Sequence, residues 1–385
     1  MSRHELSTEH ADLRAAVEEF ARSEVAPVIG DFYRRESFPY QIVAKMGEMG
    51  LFGLPFPEEH GGMGGDYFAL CLALEELARV DSSVAITLEA GVSLGAMPLF
   101  RFGTEEQKKT YLPALTSGRA LGAFGLTEPG GGSDAGATRT TARLEGGEWV
   151  INGTKSFITN SGTDITTLVT VTAVTGRRDD GRPEISSILV PAGTPGFTVG
   201  QKYSKVGWNA SDTNELVFED CRVPEANLVG ERGRGYAQFL RILDEGRIAI
   251  AALSVGLAQG CVDESVRYSH EREAFGHHIG HYQAIQFKIA EMEARAHTAR
   301  LAYYDAASRM LAGEAFKKEA AIAKLVASNA AMDNAREATQ IFGGYGFMND
   351  YPVGRFYRDA KILEVGEGTS EVQKMLIARE LGLPA

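Results

Sequence analysis

Residues 361–380, KILEVGEGTSEVQKMLIARE, place a carboxylate between two glycines directly before a predicted helix. The glycines on either side of Glu367 allow backbone angles that other residues resist, and they leave room for a ligand against the main chain. Ser370 and Gln373 match an S-x-x-Q capping box, and apolar residues follow at helical spacing. Glu367 is therefore predicted in a loop that feeds a helix, where a desolvated carboxylate can act as a general base. A solvated glutamate in a glycine turn is the alternative.

Composition limits the classes of function. The chain has 385 residues, 44% of them hydrophobic, and a net charge of −12. This favours a globular protein of two or three domains and argues against nucleic acid or an anionic membrane as the main partner. The three cysteines show no metal or CxxC spacing, the N-terminus lacks an apolar signal core, and no apolar run approaches the ~20 residues of a membrane span. We predict a cytoplasmic protein.

Residue composition and hydrophobic periodicity change along the sequence. They divide the chain into helical, β and helical parts, at residues 1–118, 119–230 and 231–385. The first helix is predicted to end before Pro27. Residues 84–102 are nearly all apolar or small, which is typical of a buried segment or a pocket wall. One charge, Glu89, lies inside this segment. It is either paired at a helix end or it faces a pocket and shapes the substrate.

The middle part alternates apolar and polar residues between turn signals. Gly146-Gly147 predicts a hairpin, and Asn152-Gly153 predicts a second tight turn. Short strands at this spacing indicate a β-barrel or a sandwich. In the C-terminal part, apolar residues from 285 to 303 step by four and three, as in a helical bundle.

Two stretches offer ligand-facing groups. Residues 124–136, FGLTEPGGGSDAG, contain the G-x-G-x-x-A spacing, but the strand-like residues that follow argue against a dinucleotide-binding βαβ unit. A loop with Thr127 and Ser133 as donors is the better interpretation. Residues 156–161, SFITNS, present Phe157 and Thr159 at a strand end, although an aromatic residue in a strand is usually core.

Three histidines, His277, His278 and His281, raise the question of a metal site. No carboxylate or cysteine stands at matching spacing, so we predict no metal and favour a polar loop at a subunit contact.

Several of these stretches together resemble the acyl-CoA dehydrogenase family. They are residues 124–134 and 155–160, LDEGRIAIAALSVGLAQ at 243–259, ERxAFG at 271–276, GGYGFMNDYPVGRFYRDAKI and EGTSEVQ. The match runs in the family's order from about residue 5 to the C-terminus. The resemblance implies an N-terminal α-helical domain, a middle β-barrel domain and a C-terminal four-helix bundle.

The resemblance also implies roles for individual residues. Glu367 matches the family's catalytic base, and Gly246 stands where some relatives place the base instead. Gly366 departs from the pattern, because many members have Tyr there. Positions around the flavin ring and ribityl chain match Phe124, Leu126, Thr127, Ser133, Phe157, Ile158 and Thr159. Positions that hold the ADP half, partly across a subunit boundary, match Arg272, Phe275, Gln283, Gln340, Gly343 and Gly344. Further flavin contacts match Thr369 and Glu371, and acyl-CoA contacts match Ser133, Asp244, Arg247 and Gly368.

The activity implied is FAD-dependent α,β-dehydrogenation of a saturated acyl-CoA to the trans-2-enoyl-CoA, as in fatty acid β-oxidation. Glu367 would take the α-proton, the β-hydride would go to flavin N5, and electrons would pass to an electron-transfer flavoprotein. A homotetramer is implied as well. The alternatives are an oxygen-using member, either an acyl-CoA oxidase or a flavin monooxygenase, and a non-catalytic acyl-CoA-binding protein. If Glu89 lines the pocket, we expect short or medium acyl chains without a terminal carboxylate.

Overall fold

The computed structural model describes residues 6–384, which begin with a helical region. Its helices are α1 (Thr8–Phe20), α2 (Ala26–Arg34), α3 (Tyr40–Glu48), α4 (Tyr67–Val80), α5 (Ser82–Glu89), α6 (Met97–Phe102) and α7 (Glu105–Thr116). The first helix ends at Phe20, before Pro27 as predicted, but the chain stays helical beyond it. A π-helical turn, Ala21–Val25, joins α1 to α2, and Pro27 falls in the first turn after it. A proline costs little there because the first N–H groups of a helix have no partner within it.

A second π-helical turn, Ala90–Ala96, joins α5 to α6. Such turns often occur at functional sites because they redirect side chains. The turn follows Glu89, whose side chain is fully buried. Ser82–Phe102 and Gly235–Glu271 are long and apolar enough to span a membrane, but 89% and 83% of their most apolar windows are buried within the chain. That degree of burial is typical of core helices.

The middle region forms one sheet of eight strands. They are β1 (Leu121–Gly125), β2 (Thr141–Glu145), β3 (Glu148–Thr159), β4 (Thr166–Arg177), β5 (Pro183–Pro191), β6 (Phe197–Lys202), β7 (Thr213–Pro224) and β8 (Leu228–Val229). The order is β6-β7-β3-β2-β4-β5-β8, and β1 pairs in parallel with β4. The β domain is confirmed. Within the described residues no pairing joins β6 to β8, so a closed barrel stays a prediction.

The two predicted turns of this sheet have different outcomes. Gly146 and Gly147 have φ of 65° and 85° and join β2 to β3, which confirms the hairpin. The turn at Asn152-Gly153 is wrong, because β3 continues through it with a register shift. Gly153 is needed for a close approach: a Cβ there would lie 2.4 Å from the Thr140 Oγ1. The glycine therefore marks a β-bulge.

Helices return at Gly235. They are α8 (Gly235–Glu271), α9 (Gln283–Leu311), α10 (Lys317–Phe342), α11 (Pro352–Leu363) and α12 (Ser370–Glu380), with a two-residue hairpin of β9 (Glu273–Ala274) and β10 (His277–His278) after α8. α10 packs against α8, α9, α11 and α12, and α8 also packs against α4. Asn334 ties three of these helices together, since its amide donates to the carbonyls of Ala258 (3.2 Å) and Met292 (2.9 Å).

One buried carboxylate joins the three regions. Asp359 of α11 accepts hydrogen bonds from the Tyr33 hydroxyl (2.6 Å), the Ser82 hydroxyl (2.7 Å) and the Trp208 backbone N–H (2.7 Å). These donors come from the first helical region and from the β region. The three parts of the chain therefore share a polar centre as well as apolar contacts.

Candidate active site

The loop between α11 and α12 presents Glu367 in a left-handed conformation. Its φ is 51°, and that of Gly368 is 92°. A non-glycine residue with positive φ is uncommon and is often found at functional sites. The predicted loop position is thus confirmed, but the capping box is wrong. Thr369 is the N-cap and accepts from the Val372 backbone N–H (3.3 Å), while the Gln373 amide donates to the Gly368 carbonyl (2.8 Å).

Glu367 points to the place where α5, α8 and α10 meet. A Cβ built on Gly246 of α8 would lie 2.8 Å from Glu367 Oε2 and 3.9 Å from Glu89 Oε1. The absent side chain at Gly246 therefore makes room for two carboxyl groups, one from α5 and one from the loop. Neither oxygen of Glu89 nor Oε2 of Glu367 has a hydrogen-bond partner among the described residues. Buried polar atoms of this kind usually have a partner, and here each carboxyl group has the other beside it, so one proton shared between them would satisfy both.

The two carboxyl groups differ in their electrostatic surroundings. Burial raises the pKa of Glu367, whereas Glu89, Lys324 and Arg247 act to lower it. Burial, and then the charge of Glu367, raise the pKa of Glu89 well above its ordinary value. In a pair of this kind the proton resides on the group with fewer cations near it. Glu89 therefore holds the proton, and Glu367 is the carboxylate that can accept one.

Two buried cations face this pair. Arg247 forms an ion pair with Asp244 one turn before it on α8, which brings together two of the predicted acyl-CoA contacts. Lys324 of α10 is fully buried and its Nζ donates to the Gly368 carbonyl (2.7 Å). Sequence reasoning missed Lys324. The signal was present, because this lysine interrupts a stripe of alanines on the buried face of α10.

The two predicted flavin loops lie side by side. The Ser156 backbone N–H donates to the Thr127 carbonyl (2.8 Å). Beneath them, the buried Lys155 ammonium donates to the Leu126 carbonyl (3.1 Å) and to Glu128 Oε1 (2.8 Å). Glu128 also accepts the backbone N–H groups of Arg139 (2.7 Å) and Thr140 (3.0 Å). This buried ion pair therefore fixes both ends of the loop.

Phe157 presents its ring to the outside. Its φ is 62°, its side chain is 64% exposed, and it lies beside Tyr203 with ring centroids 5.0 Å apart. The usual reading of a strand aromatic as core is wrong here. Ile158 is buried, and Thr159 is half-buried at the end of β3. The Phe124 ring, by contrast, is buried against Phe239, so only its backbone can face a ligand.

Three of the six predicted ADP-binding residues line a surface cavity of about 410 Å³. Its lining includes Arg272, Gly343 and Gly344, and nothing lies within 4 Å of a Cβ built on either glycine. Gln283 and Gln340 are exposed, and Phe275 is 95% exposed. An exposed guanidinium beside bare backbone fits a pyrophosphate group.

The side-chain hydroxyls of Thr127, Ser133 and Thr159 bond no other residue within 6–384 in the hydrogen bonds identified. Glu371 is exposed in the first turn of α12. Free hydroxyls on adjoining loops and an anion-accepting cavity fit the two halves of FAD.

The three histidines lie in β10 and directly after it. The rings of His277 and His281 stack at 4.3 Å, and within the described part of the chain no group of three or more potential ligands could hold a metal ion.

Comparison with known proteins agrees with this arrangement. Three family models match: "Acyl-CoA dehydrogenase, N-terminal domain" at residues 7–119, the middle domain at 123–221 and the C-terminal domain at 233–382. The chain belongs to the acyl-CoA dehydrogenase family. This confirms the predicted family and the predicted enzyme class.

Individual members of the family are similar over nearly the whole chain. A probable acyl-CoA dehydrogenase, YngJ of Bacillus subtilis, is 50% identical over 98% of this chain and 99% of its own. The butyryl-CoA dehydrogenase structure from Megasphaera elsdenii has a TM-score of 0.94 and 41% identity, covering 98% of this chain and 99% of that one. A chain from the structure of the electron transferring flavoprotein of Acidaminococcus fermentans, with the same TM-score, is 42% identical over 98% and 99%.

Proposed function

We propose that this acyl-CoA dehydrogenase oxidises a short-chain saturated acyl-CoA at Cα–Cβ, with Glu367 as the base. The observation that supports this role most directly is the geometry of Glu367. It is a buried carboxylate in a left-handed loop, beside the carboxyl group of Glu89 and with the cations Lys324 and Arg247 acting on it.

The base must be ionised before the substrate arrives, and it must be strong enough to take an α-proton. The two buried cations favour the carboxylate, while burial raises its pKa above that of a solvated glutamate. An apolar acyl chain that fills the site removes further water and strengthens the base. In the reaction the Cα–H bond breaks, its proton moves to a Glu367 oxygen, and the electron pair moves toward the thioester oxygen.

The enolate-like charge on that oxygen needs donors already in place. The Glu367 backbone N–H lies in the same left-handed turn as its carboxylate, and Gly368 carries no side chain to block the approach. Arg247 and Asp244 follow one turn apart on α8, where they would hold the acyl-CoA beside the base.

The residues of the two flavin loops and of the 410 Å³ cavity would hold FAD. When bound, FAD supplies the two-electron acceptor for the β-hydrogen, which leaves as a hydride. Leu126, Thr127, Ser133 and residues 157–159 would contact the ring and ribityl chain; Arg272, Gln283, Gln340, Gly343 and Gly344 would contact the ADP half. Thr369 and Glu371 follow the base within four residues and would also contact the flavin.

The acyl chain is expected to be short and to lack a terminal carboxylate. Glu89 closes the space next to Glu367, and among the described residues no cation acts on its carboxyl group. A terminal carboxylate would have to enter a buried site that already holds two carboxyl groups. The similarity to a butyryl-CoA dehydrogenase favours a chain of similar length.

An electron-transfer flavoprotein is the proposed electron acceptor, supported by the relative from A. fermentans. The exposed Phe157 ring offers this partner an aromatic surface beside the flavin loops. A homotetramer, a closed β-barrel and a cytoplasmic location belong to the same proposal.

The test is an anaerobic titration of the purified yellow protein with butyryl-CoA, hexanoyl-CoA and glutaryl-CoA. We expect butyryl-CoA to bleach the flavin band, glutaryl-CoA to leave it unchanged, and added electron-transfer flavoprotein to restore the colour. Rapid recolouring by oxygen alone would favour an oxidase. A protein that no acyl-CoA bleaches would contradict the proposed function.

A further inference from the structure

Lys324 is a buried lysine with contacts that tie it to the catalytic loop. Its side chain has no exposed surface, and its Nζ lies 2.7 Å from the Gly368 carbonyl oxygen. That carbonyl belongs to the residue directly after Glu367, so the ammonium lies one peptide away from the base. Burying a charge costs free energy, and in native proteins such a charge is normally compensated by a partner.

The loop does not need the hydrogen bond from Lys324 to keep its structure. The Gly368 carbonyl already accepts a hydrogen bond from the Gln373 amide at 2.8 Å. Thr369 caps α12 independently. A neutral residue at position 324 would therefore leave no buried carbonyl without a donor. Hydrogen bonding within the loop does not explain why this position carries a charge.

The charge acts on the carboxylate. Three helices pack against the loop, and their titratable groups are Glu89 on α5, Asp244 and Arg247 on α8, and Lys324 on α10; Glu364 and Glu371 lie on the loop's own flanks. Of the two cations, Arg247 is already paired with Asp244. Lys324 has the Gly368 carbonyl as its partner and no carboxylate in direct contact among the described residues, so its charge is the one left to balance Glu367.

We propose that Lys324 is a positioning residue for proton abstraction: its ammonium holds the Gly368 carbonyl, fixes the turn that aims Glu367, and keeps the Glu367 carboxylate ionised. This rests on the proposed role of Glu367 as the base. Burial lowers the pKa of Lys324 to about 8, and the charge of Glu367 acts in the opposite direction. The lysine therefore remains largely protonated at neutral pH, as this role requires.

The role predicts an unusual combination of effects. A lysine whose pKa is lowered by folding costs stability while it stays protonated, that is, below about pH 8. Replacing it with a neutral residue of similar size removes that cost but leaves the buried Glu367 without its balancing cation, so the two effects on stability oppose each other and the melting temperature should change little although activity falls. If the lysine merely supported the fold, its replacement would lower the melting temperature and leave the activity of the folded enzyme unchanged.

The experiment compares Lys324→Met, Lys324→Gln and Lys324→Arg in the FAD-loaded enzyme with butyryl-CoA. Lys318→Met, at a partly exposed position of the same helix, is the control. The readouts are kcat/KM from pH 5.5 to 9, the melting temperature, and exchange of α-hydrogens with D2O in a thioester whose β-carbon is replaced by sulfur. That exchange reports proton abstraction without hydride transfer.

We expect the acid limb of kcat/KM to move to higher pH in Lys324→Met and Lys324→Gln. At pH 6 the loss should be about tenfold, the lower end of the effect of a nearby opposite charge on a carboxyl group. α-Hydrogen exchange should slow in parallel, while Lys324→Arg and Lys318→Met keep the wild-type limb. If Lys324→Met does not fold, the contrast between Gln and Arg decides the question.

An acid limb that stays in place in the neutral variants would overturn the proposal, whatever happens to the melting temperature. This failure differs from failure of the proposed function, because in the latter case the wild-type enzyme itself would not turn over butyryl-CoA.

Discussion

At the scale of single residues, the site depends on the absence of a side chain at Gly246. This glycine lies inside α8, where glycine costs roughly 0.5–1 kcal/mol relative to alanine. The helix tolerates that cost because any side chain would fall on the Glu367 carboxylate, 2.8 Å from a Cβ at this position. In relatives that carry the base on this helix, the side chain at the position of Gly246 would fill this space.

Gly246→Ala should therefore separate activity from stability. We expect kcat/KM to fall tenfold or more, because the methyl group displaces the base from a site that requires close positioning. The melting temperature should stay or rise, since alanine favours the helix. Gly30→Ala is the matched control: in α2, the nearest atom to its Cβ is at 3.8 Å. Equal activity of both variants would show that the carboxylate does not need this space.

At the scale of elements, buried ion pairs hold loops that have no regular structure of their own. The loop after β1 carries Leu126, Thr127 and Ser133, and its ends are fixed by Glu128 on Lys155. Glu128 accepts hydrogen bonds from two backbone N–H groups and one ammonium. A neutral side chain would bind these three donors less strongly than a carboxylate does.

Glu128→Gln should loosen this loop and weaken FAD binding. We expect the affinity for FAD to fall about tenfold, since one lost charge-assisted hydrogen bond is worth about 1.5–3 kcal/mol. The measurement is the ratio of flavin to protein absorbance during dialysis, with Glu145→Gln on the exposed end of β2 as the control. Undiminished flavin retention in Glu128→Gln would show that FAD binding does not depend on this ion pair.

At the scale of the whole molecule, the exposed aromatic residues near the ADP cavity suggest that a second copy covers them. Phe275 and Phe347 are 95% and 89% exposed, far more than large aromatic side chains usually are. Phe275 also has a φ of 52°, a strained conformation that a contact across subunits could stabilise.

We expect light scattering after size exclusion to give four times the chain mass of 41.5 kDa. Phe275→Asp should yield smaller species that carry less FAD, because we propose that this residue holds FAD across a subunit boundary. Val28→Asp, at a surface position 41% exposed, serves as the control. A wild-type protein that runs as a monomer with full FAD would contradict the shared site.

The sequence predicted those features that depend on local pattern. Periodicity located the helices around Met46 and Met292, and the Gly146-Gly147 pair predicted the hairpin. It failed where a position depends on distant neighbours. Gly153 is a bulge because Thr140 approaches it, and Lys324 is important because it contacts a loop 44 residues away. The sequence could not decide whether Glu89 is paired at a helix end or faces a pocket, because the answer depends on how α5, α8 and the loop pack together.

The most direct test of the central claim is Glu367→Gln beside Glu364→Gln, a half-buried glutamate three residues earlier that pairs with Lys361. Both variants keep the shape of the loop and remove one charge. With FAD bound and butyryl-CoA under anaerobic conditions, we predict that Glu367→Gln loses bleaching by at least ~10²-fold, the smaller end of what general-base catalysis contributes. Glu364→Gln should bleach at nearly the wild-type rate. Substantial bleaching by Glu367→Gln would contradict the assignment of the base.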